Sequence, residues 1–284
     1  MASNMAQRVM VAVIAIPTAA GLIMVGGWYL VAAVAVLGVL GSGEVYRLVG
    51  QTGTKPLEIV GFVGAALAPI GVYLLIRRGA DAGLWILTGG VLWFLVVMVA
   101  TLLKRGPTDE PLAGLAATVF GVLYTSVLLS FVLVLRHNGD LSPAPAVLLV
   151  LFPLVCTWIC DSAAMAGGGM FGGPKLAPVV SPNKTWSGAI SGFSAAVVVA
   201  VLWNALLLDR FGIELNLLQA ATVGAAVGIF GQIGDLAESL FKRSVGVKDS
   251  GAIFPGHGGV LDRLDSLYWV IPITSLLLLW FRVP

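Results

Sequence analysis

Residues 84 to 103, from Leu84 to Leu103, read LWILTGGVLWFLVVMVATLL, twenty consecutive positions without a charged side chain. A helix of that length rises about 30 Å, the thickness of the hydrocarbon core of a bilayer. Comparable apolar runs occur at 9–25, 27–41, 57–76, 112–135, 145–160, 186–208, 216–234 and 265–281. Backbone polar groups cannot go unpaired in lipid, and the runs are continuous rather than alternating. The expected fold is therefore all-α, a polytopic membrane bundle of about nine transmembrane helices rather than a barrel. Composition agrees: mean hydropathy is +1.00 and 11% of residues are charged, against about a quarter in soluble domains. The first run stands too close to the second to be a simple cleaved signal peptide, and is expected to stay.

Net charge is only +2, but its distribution is informative. With the N-terminus in the cytosol, the loops on that side hold Arg8, Arg47, Lys55, Lys104, Arg105, Lys175, Lys184, Lys242, Arg243, Lys248 and Arg263. The other face keeps Arg77, Arg78, Arg136, Arg210 and Arg282. This asymmetry satisfies the positive-inside rule and predicts a multi-pass protein of the cytoplasmic membrane. It also puts both long polar loops, 161–185 and 235–264, in the cytosol.

Residues 1–140 are apolar spans joined by short connectors and read as a transmembrane scaffold; 141–284 carry the polar chemistry. Gly167, Gly169 and Gly172 spell GxGxxG, but no strand precedes them, so a dinucleotide fingerprint is not inferred. Glycines here supply a backbone that can turn sharply or approach a ligand. Ser181-Pro182 reads as a helix start, with Ser181 at the N-cap and Pro182 at the first helical position. Lys184 and Thr185 would add a charge and a hydroxyl to that helix end, which could seat a phosphate or simply be a capped helix with a topological lysine. Cys156 and Cys160, one turn apart, read as reduced packing thiols.

Between Asp235 and Asp265 lie nine of the chain's charged residues. Asp235, Glu238, Ser239 and Lys242 fall at i, i+3, i+4 and i+7, one face of a helix leaving the membrane. Asp262 and Asp265 share a face at the start of the ninth span. Carboxylates gathered this way repel unless a hard cation sits among them, and oxygen ligands suit Mg²⁺. A salt-bridged loop is the competing reading. The metal is favoured because Asp235, Asp262 and Asp265 stand near span termini and their connector contains Gly251, Pro255, Gly256, Gly258 and Gly259. His257 could cap a turn or touch a phosphate.

The run Ser239-x-x-Lys242-Arg243-x4-Lys248-Asp249-x-Gly251-x-x-Phe254-Pro255-x-His257-Gly258-Gly259-x-x-Asp262-Arg263-Leu264-Asp265 resembles the signature of the phosphatidate cytidylyltransferases, or CDP-diacylglycerol synthases. Ser181-Pro182-x-Lys184-Thr185-x-x-Gly188 and Asp161 are similar to that family's second polar block. The likeness is good over roughly 150–284. Where relatives often carry a tyrosine and a lysine, this chain has Met165 and Gly173, so contacts made at those positions elsewhere are not carried over.

The resemblance implies transfer of a cytidylyl group from CTP to phosphatidic acid with Mg²⁺, and a second monovalent or divalent cation is compatible with it. It implies metal ligation by Asp235, Asp262 and Asp265, with Asp161 and Asp249 as further ligands or orienting groups. Lys184, Lys242, Arg243, Lys248 and Arg263 would neutralise phosphates, with Lys175, Ser181, Thr185 and Ser239 as further substrate contacts. His257, Gly258 and Gly259 would line the site. The expected partners are CTP, phosphatidic acid and the lipid bilayer, with no nucleic acid; a homodimer suits a bundle of this size, although no residue requires one. A CDP-alcohol phosphotransferase would need a compact D-x-x-D-G-x-x-A-R segment, which is absent. An ion-coupled transporter predicts polar residues inside the early spans and an internal repeat; those spans are nearly devoid of charge, and no repeat is evident.

Overall fold

Every apolar run in the sequence falls on a helix. In the computed structural model, which describes residues 2–137, 139, 141–254 and 258–283, the first four helices are α1 (Ala2–Val25), α2 (Gly27–Gly50), α3 (Glu58–Arg78) and α4 (Ala80–Lys104). Next, α5 (Pro111–Gly121) continues through a wider i→i+5 turn at Val122–Val127 into α6 (Leu128–His137). The helix α7 (Pro143–Phe171) leads to a hairpin of β1 (Lys175–Ala177) and β2 (Ser181–Thr185). The chain ends with α8 (Trp186–Trp203), α9 (Leu217–Ser244), the single turn α10 (Leu261–Leu264) and α11 (Leu267–Trp280). Seven helical stretches among the described residues are long and apolar enough to cross a membrane. On α4, Trp85 and Leu102 are 78% and 79% exposed, an outward face suited to lipid and not to water. The protein is an all-α polytopic membrane protein.

The chain divides into two compact units, Met1–Val134 with Ser244–Arg263, and Leu135–Arg243 with Leu264–Pro284. In the first, close approach and hydroxyl bonds replace the hydrophobic drive that helices lack in lipid. A Cβ on Gly64 would fall 2.5 Å from the Trp93 ring, and one on Gly38 would fall 2.6 Å from the Ser126 hydroxyl. Gly61 and Gly121 both press on the buried Tyr46 ring, whose hydroxyl donates to Thr118 O at 2.9 Å. From the widened turn, Thr125 and Ser126 donate to the carbonyls of Gly38 and Ala65 at 2.9 and 2.5 Å.

In the second unit, α7 packs lengthwise on α8 through a seam of small residues. A Cβ on Gly188 would lie 2.6 Å from Ala164 O, one on Gly192 would lie 2.8 Å from Cys160 O, and Gly167 sits against Ser191. This seam explains why α7 does not stop near 160, as the sequence predicts, but runs to Phe171, so that the expected loop 161–185 begins about three helical turns later. Helical glycines weaken an isolated helix; here they are what lets the two helices touch. Cys156 and Cys160 are free and buried, as expected.

The predicted helix start at Ser181 is overturned. Ser181–Thr185 is a strand paired antiparallel with β1, Lys175 facing Thr185 and Ala177 facing Ser181. The helix begins at Trp186, where Thr185 caps it by accepting from the Gly188 amide at 3.2 Å. Ser181 and Thr185 are both competent caps; strand pairing claims the first and leaves the second.

Candidate active site

The hairpin, the end of α7, the start of α8 and Gln232 and Asp235 of α9 wall a cleft of about 720 Å³ in the second unit. Its polar lining includes Asp161, Lys175, Asn183, Lys184, Thr185, Gln232 and Asp235. Lys184, on β2 one residue before the cap, reaches across to α9, where its Nζ lies 2.6 Å from Asp235 Oδ2. The other Asp235 oxygen accepts from Ser239 at 3.3 Å, so the predicted i, i+4 pairing on α9 is present. Gly168, Gly169, Gly172 and Gly173 form one wall. Gly172 and Gly173 have φ of 58° and 97°, a left-handed backbone that ends α7 and turns the chain into the hairpin. Met165 and Gly173, the two departures noted in the sequence, also line this cleft.

Asp265 stands in the turn before α11 and is half-buried. Burial first, and then the negative charges of Asp235 and Asp161, push its carboxyl up to about 7, against the Ser266 amide and Lys242, which pull the other way. Three acids and Lys184 thus share one electrostatic neighbourhood in this unit. The sign follows directly. A carboxyl raised in the folded state favours folding fully below its unfolded value near 4, and that contribution fades as pH climbs through about 7. Thermal melting in EDTA is therefore expected to fall from about pH 5 to about pH 8 in the wild type and to fall less in Asp265→Asn, which cannot charge. Parallel curves for the two proteins would refute the account.

Lys242, also expected to meet phosphate, is buried and pairs with the buried Glu238 at 2.9 Å. Arg243 is exposed in the last turn of α9.

The remaining sequence candidates belong to the first unit. Lys248, Asp249 and Arg263 are exposed, and His257, with Pro255 and Gly256, lies outside the described residues. Asp262 Oδ2 accepts from the amides of Ser250 and Gly259, both at 2.8 Å, and from the Ser250 hydroxyl at 2.9 Å. Gly258 has φ of 81°, and its carbonyl accepts from the Phe254 amide at 2.9 Å. Among the described residues no three or more His, Cys, Asp or Glu side chains are grouped closely enough to hold a metal by themselves.

Two residues escaped the sequence reading. Glu44, fully buried near the end of α2, accepts from the amides of Val260 and Leu261, both at 2.9 Å, and from the Ser250 hydroxyl at 2.8 Å. It anchors Ser250, Val260 and Leu261 in the first unit, and Gly251 and Gly259 leave room for its carboxylate. Gln232 donates to Ala189 O at 3.1 Å and Gly228 O at 2.7 Å, tying α9 to α8 under the cleft. The available signal was the same for both: a strongly polar side chain inside an apolar helix is expensive and needs a partner.

The cytidylyltransferase family model matches residues 6–281. The chain is 40% identical over 206 residues to the phosphatidate cytidylyltransferase of Brucella suis, covering 72% of this chain and 68% of the relative. It is 30% identical over 276 residues to that of Staphylococcus epidermidis, covering 96% and 98%. Over 237 residues it is 32% identical to that of Staphylococcus saprophyticus, covering 82% and 84%.

Proposed function

The chain belongs to the cytidylyltransferase family, and we propose on that premise that it transfers the cytidylyl group of CTP to phosphatidic acid, releasing pyrophosphate. The observation that carries this reading is the cleft itself, where Lys184, Lys175 and the positive end of α8 offer charge to phosphates while carboxylates stand opposite. The active face is the cytosolic side of the cytoplasmic membrane, as the distribution of Lys and Arg supports.

An oxygen of the lipid phosphate attacks the α-phosphorus of CTP in line. The new P–O bond forms as the bond to the bridging oxygen of the β-phosphate breaks, and pyrophosphate departs with the electron pair. A phosphate monoester has a second pKa near 6 and is largely dianionic at neutral pH, so the nucleophile needs no strong base. The protein's work is positioning and charge neutralisation. Lys184, released from Asp235, turns to a phosphate oxygen; Lys175 orients the rest.

Asp235, with Asp265 and Asp161 beside it, would hold Mg²⁺. These mutually repelling carboxylates fit a hard cation, and Mg²⁺ usually takes one or two carboxylates, several waters and the substrate's phosphates. When bound, Mg²⁺ neutralises charge on the nucleotide phosphates. Asp262 is assigned to holding its loop. The test is purified protein with labelled CTP and phosphatidate, with and without EDTA. Labelled CDP-lipid is expected only when magnesium is available. Undiminished product in EDTA would remove the metal, and no product in either condition would remove the activity.

A further inference from the structure

Beside the polar cleft lies a second, apolar groove of about 440 Å³ between α8 and α9. One wall is Trp186, Ile190 and Phe193, at i, i+4 and i+7 on α8; the other is Ile229, Ile233 and Leu236, at the same spacing on α9. The two cavities share Leu176, Ala189 and Gln232, so they are neighbours along the α8–α9 seam, with the Gln232–Ala189 hydrogen bond at their boundary. The far end is closed. A Cβ on Gly228 would fall 3.0 Å from Phe193 Cα, and one on Gly224 would fall 2.7 Å from Ala196 O, so beyond Phe193 the helices are in contact. From Trp186 to that floor the helix descends about 10 Å.

We propose that this groove holds the first part of one acyl chain of the lipid phosphate, with Phe193 against Gly228 as its floor. The inference rests on the reading of the cleft given above. A ligand spanning both cavities must join a phosphate at Lys184 to a hydrocarbon tail at Ile229, and of the two substrates only the lipid has that build; a nucleotide leaves the groove empty. Lipid tails are as apolar as leucine, so entering the groove gains little hydrophobic free energy over the surrounding bilayer. Its effect is on position: a seated chain fixes the azimuth of the glycerol and brings the phosphate oxygen into line.

The experiment compares phosphatidate carrying two acetyl chains, too short to enter the groove, with phosphatidate carrying two palmitoyl chains in the same detergent micelles. Proteins are the wild type, Ile229→Trp, which fills the groove, and Val198→Trp, at a lipid-exposed position on α8 outside it. Filling the groove is expected to cut kcat/KM for the long-chain substrate by about tenfold or more while short-chain turnover stays within about twofold. Val198→Trp should alter neither. If Ile229→Trp treats both chain lengths alike, or if Val198→Trp reproduces its effect, the acyl subsite is wrong. A wild type inactive on both substrates overturns the reading of the cleft and the groove with it.

Discussion

Replacing Asp235 by asparagine is expected to lower kcat/KM for CDP-lipid formation by about a hundredfold to a thousandfold, the scale at which removing one preorganised electrostatic group is felt. The substitution keeps the size and shape of the side chain and removes one negative charge. It leaves Lys184 without its 2.6 Å ionic partner and takes away an oxygen of the carboxylate proposed above to hold the cation. Stability should change little, because a partly exposed pair contributes roughly 0–1 kcal/mol, and Asp265 is relieved of a repelling neighbour. A normal melting curve with near-absent turnover is thus the expected pair of results. The control is Ser239→Ala, which removes only a 3.3 Å hydrogen bond to the same carboxylate and should cost far less. Turnover by Asp235→Asn within a few-fold of wild type would mean that the cleft is not where the chemistry happens.

The second large effect is structural. Glu44→Ala strips the acceptor from two backbone amides in the interior of the first unit, while the Ser250 hydroxyl keeps its bond to Asp262 Oδ2 at 2.9 Å. A buried donor left without a partner costs about 1–3 kcal/mol, so the two amides together amount to several kcal/mol, a large part of the ordinary stability margin of a folded domain. The loss should appear locally before it appears globally, because the loop can open while the helices stay packed. Hydrogen exchange is the direct measurement: the amides of Val260 and Leu261 should exchange much faster in Glu44→Ala, whereas amides along α3 should not. Glu44→Gln retains one carbonyl oxygen and should fall between. Unchanged protection at Val260 and Leu261 would show that the loop is held by something else.

These cases mark where reading the chain succeeds and where it fails. The helical membrane class was accessible because each membrane helix is a local statement, about 20 apolar residues in a row, although among the described residues seven stretches, not nine, are long and apolar enough to cross. The α9 face was accessible for the same reason: Asp235, Ser239 and Lys242 are related by helical periodicity alone, and both the Ser239 contact and the Lys242–Glu238 pair are present. The end of α7 was missed because polarity and three glycines suggested a loop, whereas the deciding fact is the approach of α8 at Ser191 and Thr185. The hairpin was missed because Ser181-Pro182 carries a sound helix-start signal that only pairing with Lys175–Ala177 overrides. Glu44 was invisible for a further reason: its partners lie more than 200 positions away, and no short pattern in α2 names them.

The Lys184–Asp235 bridge gives the resting cleft a counterion of its own. An anion that draws the ammonium away strands the carboxylate, and a cation that takes the carboxylate strands the ammonium; either visitor alone must break a bond that nothing replaces. Arriving together, they exchange one neutral arrangement for another. Nucleotide and divalent ion are therefore expected to strengthen each other's affinity by the same factor, as thermodynamic reciprocity requires, and isothermal titration of each in the presence and absence of the other would read that factor directly.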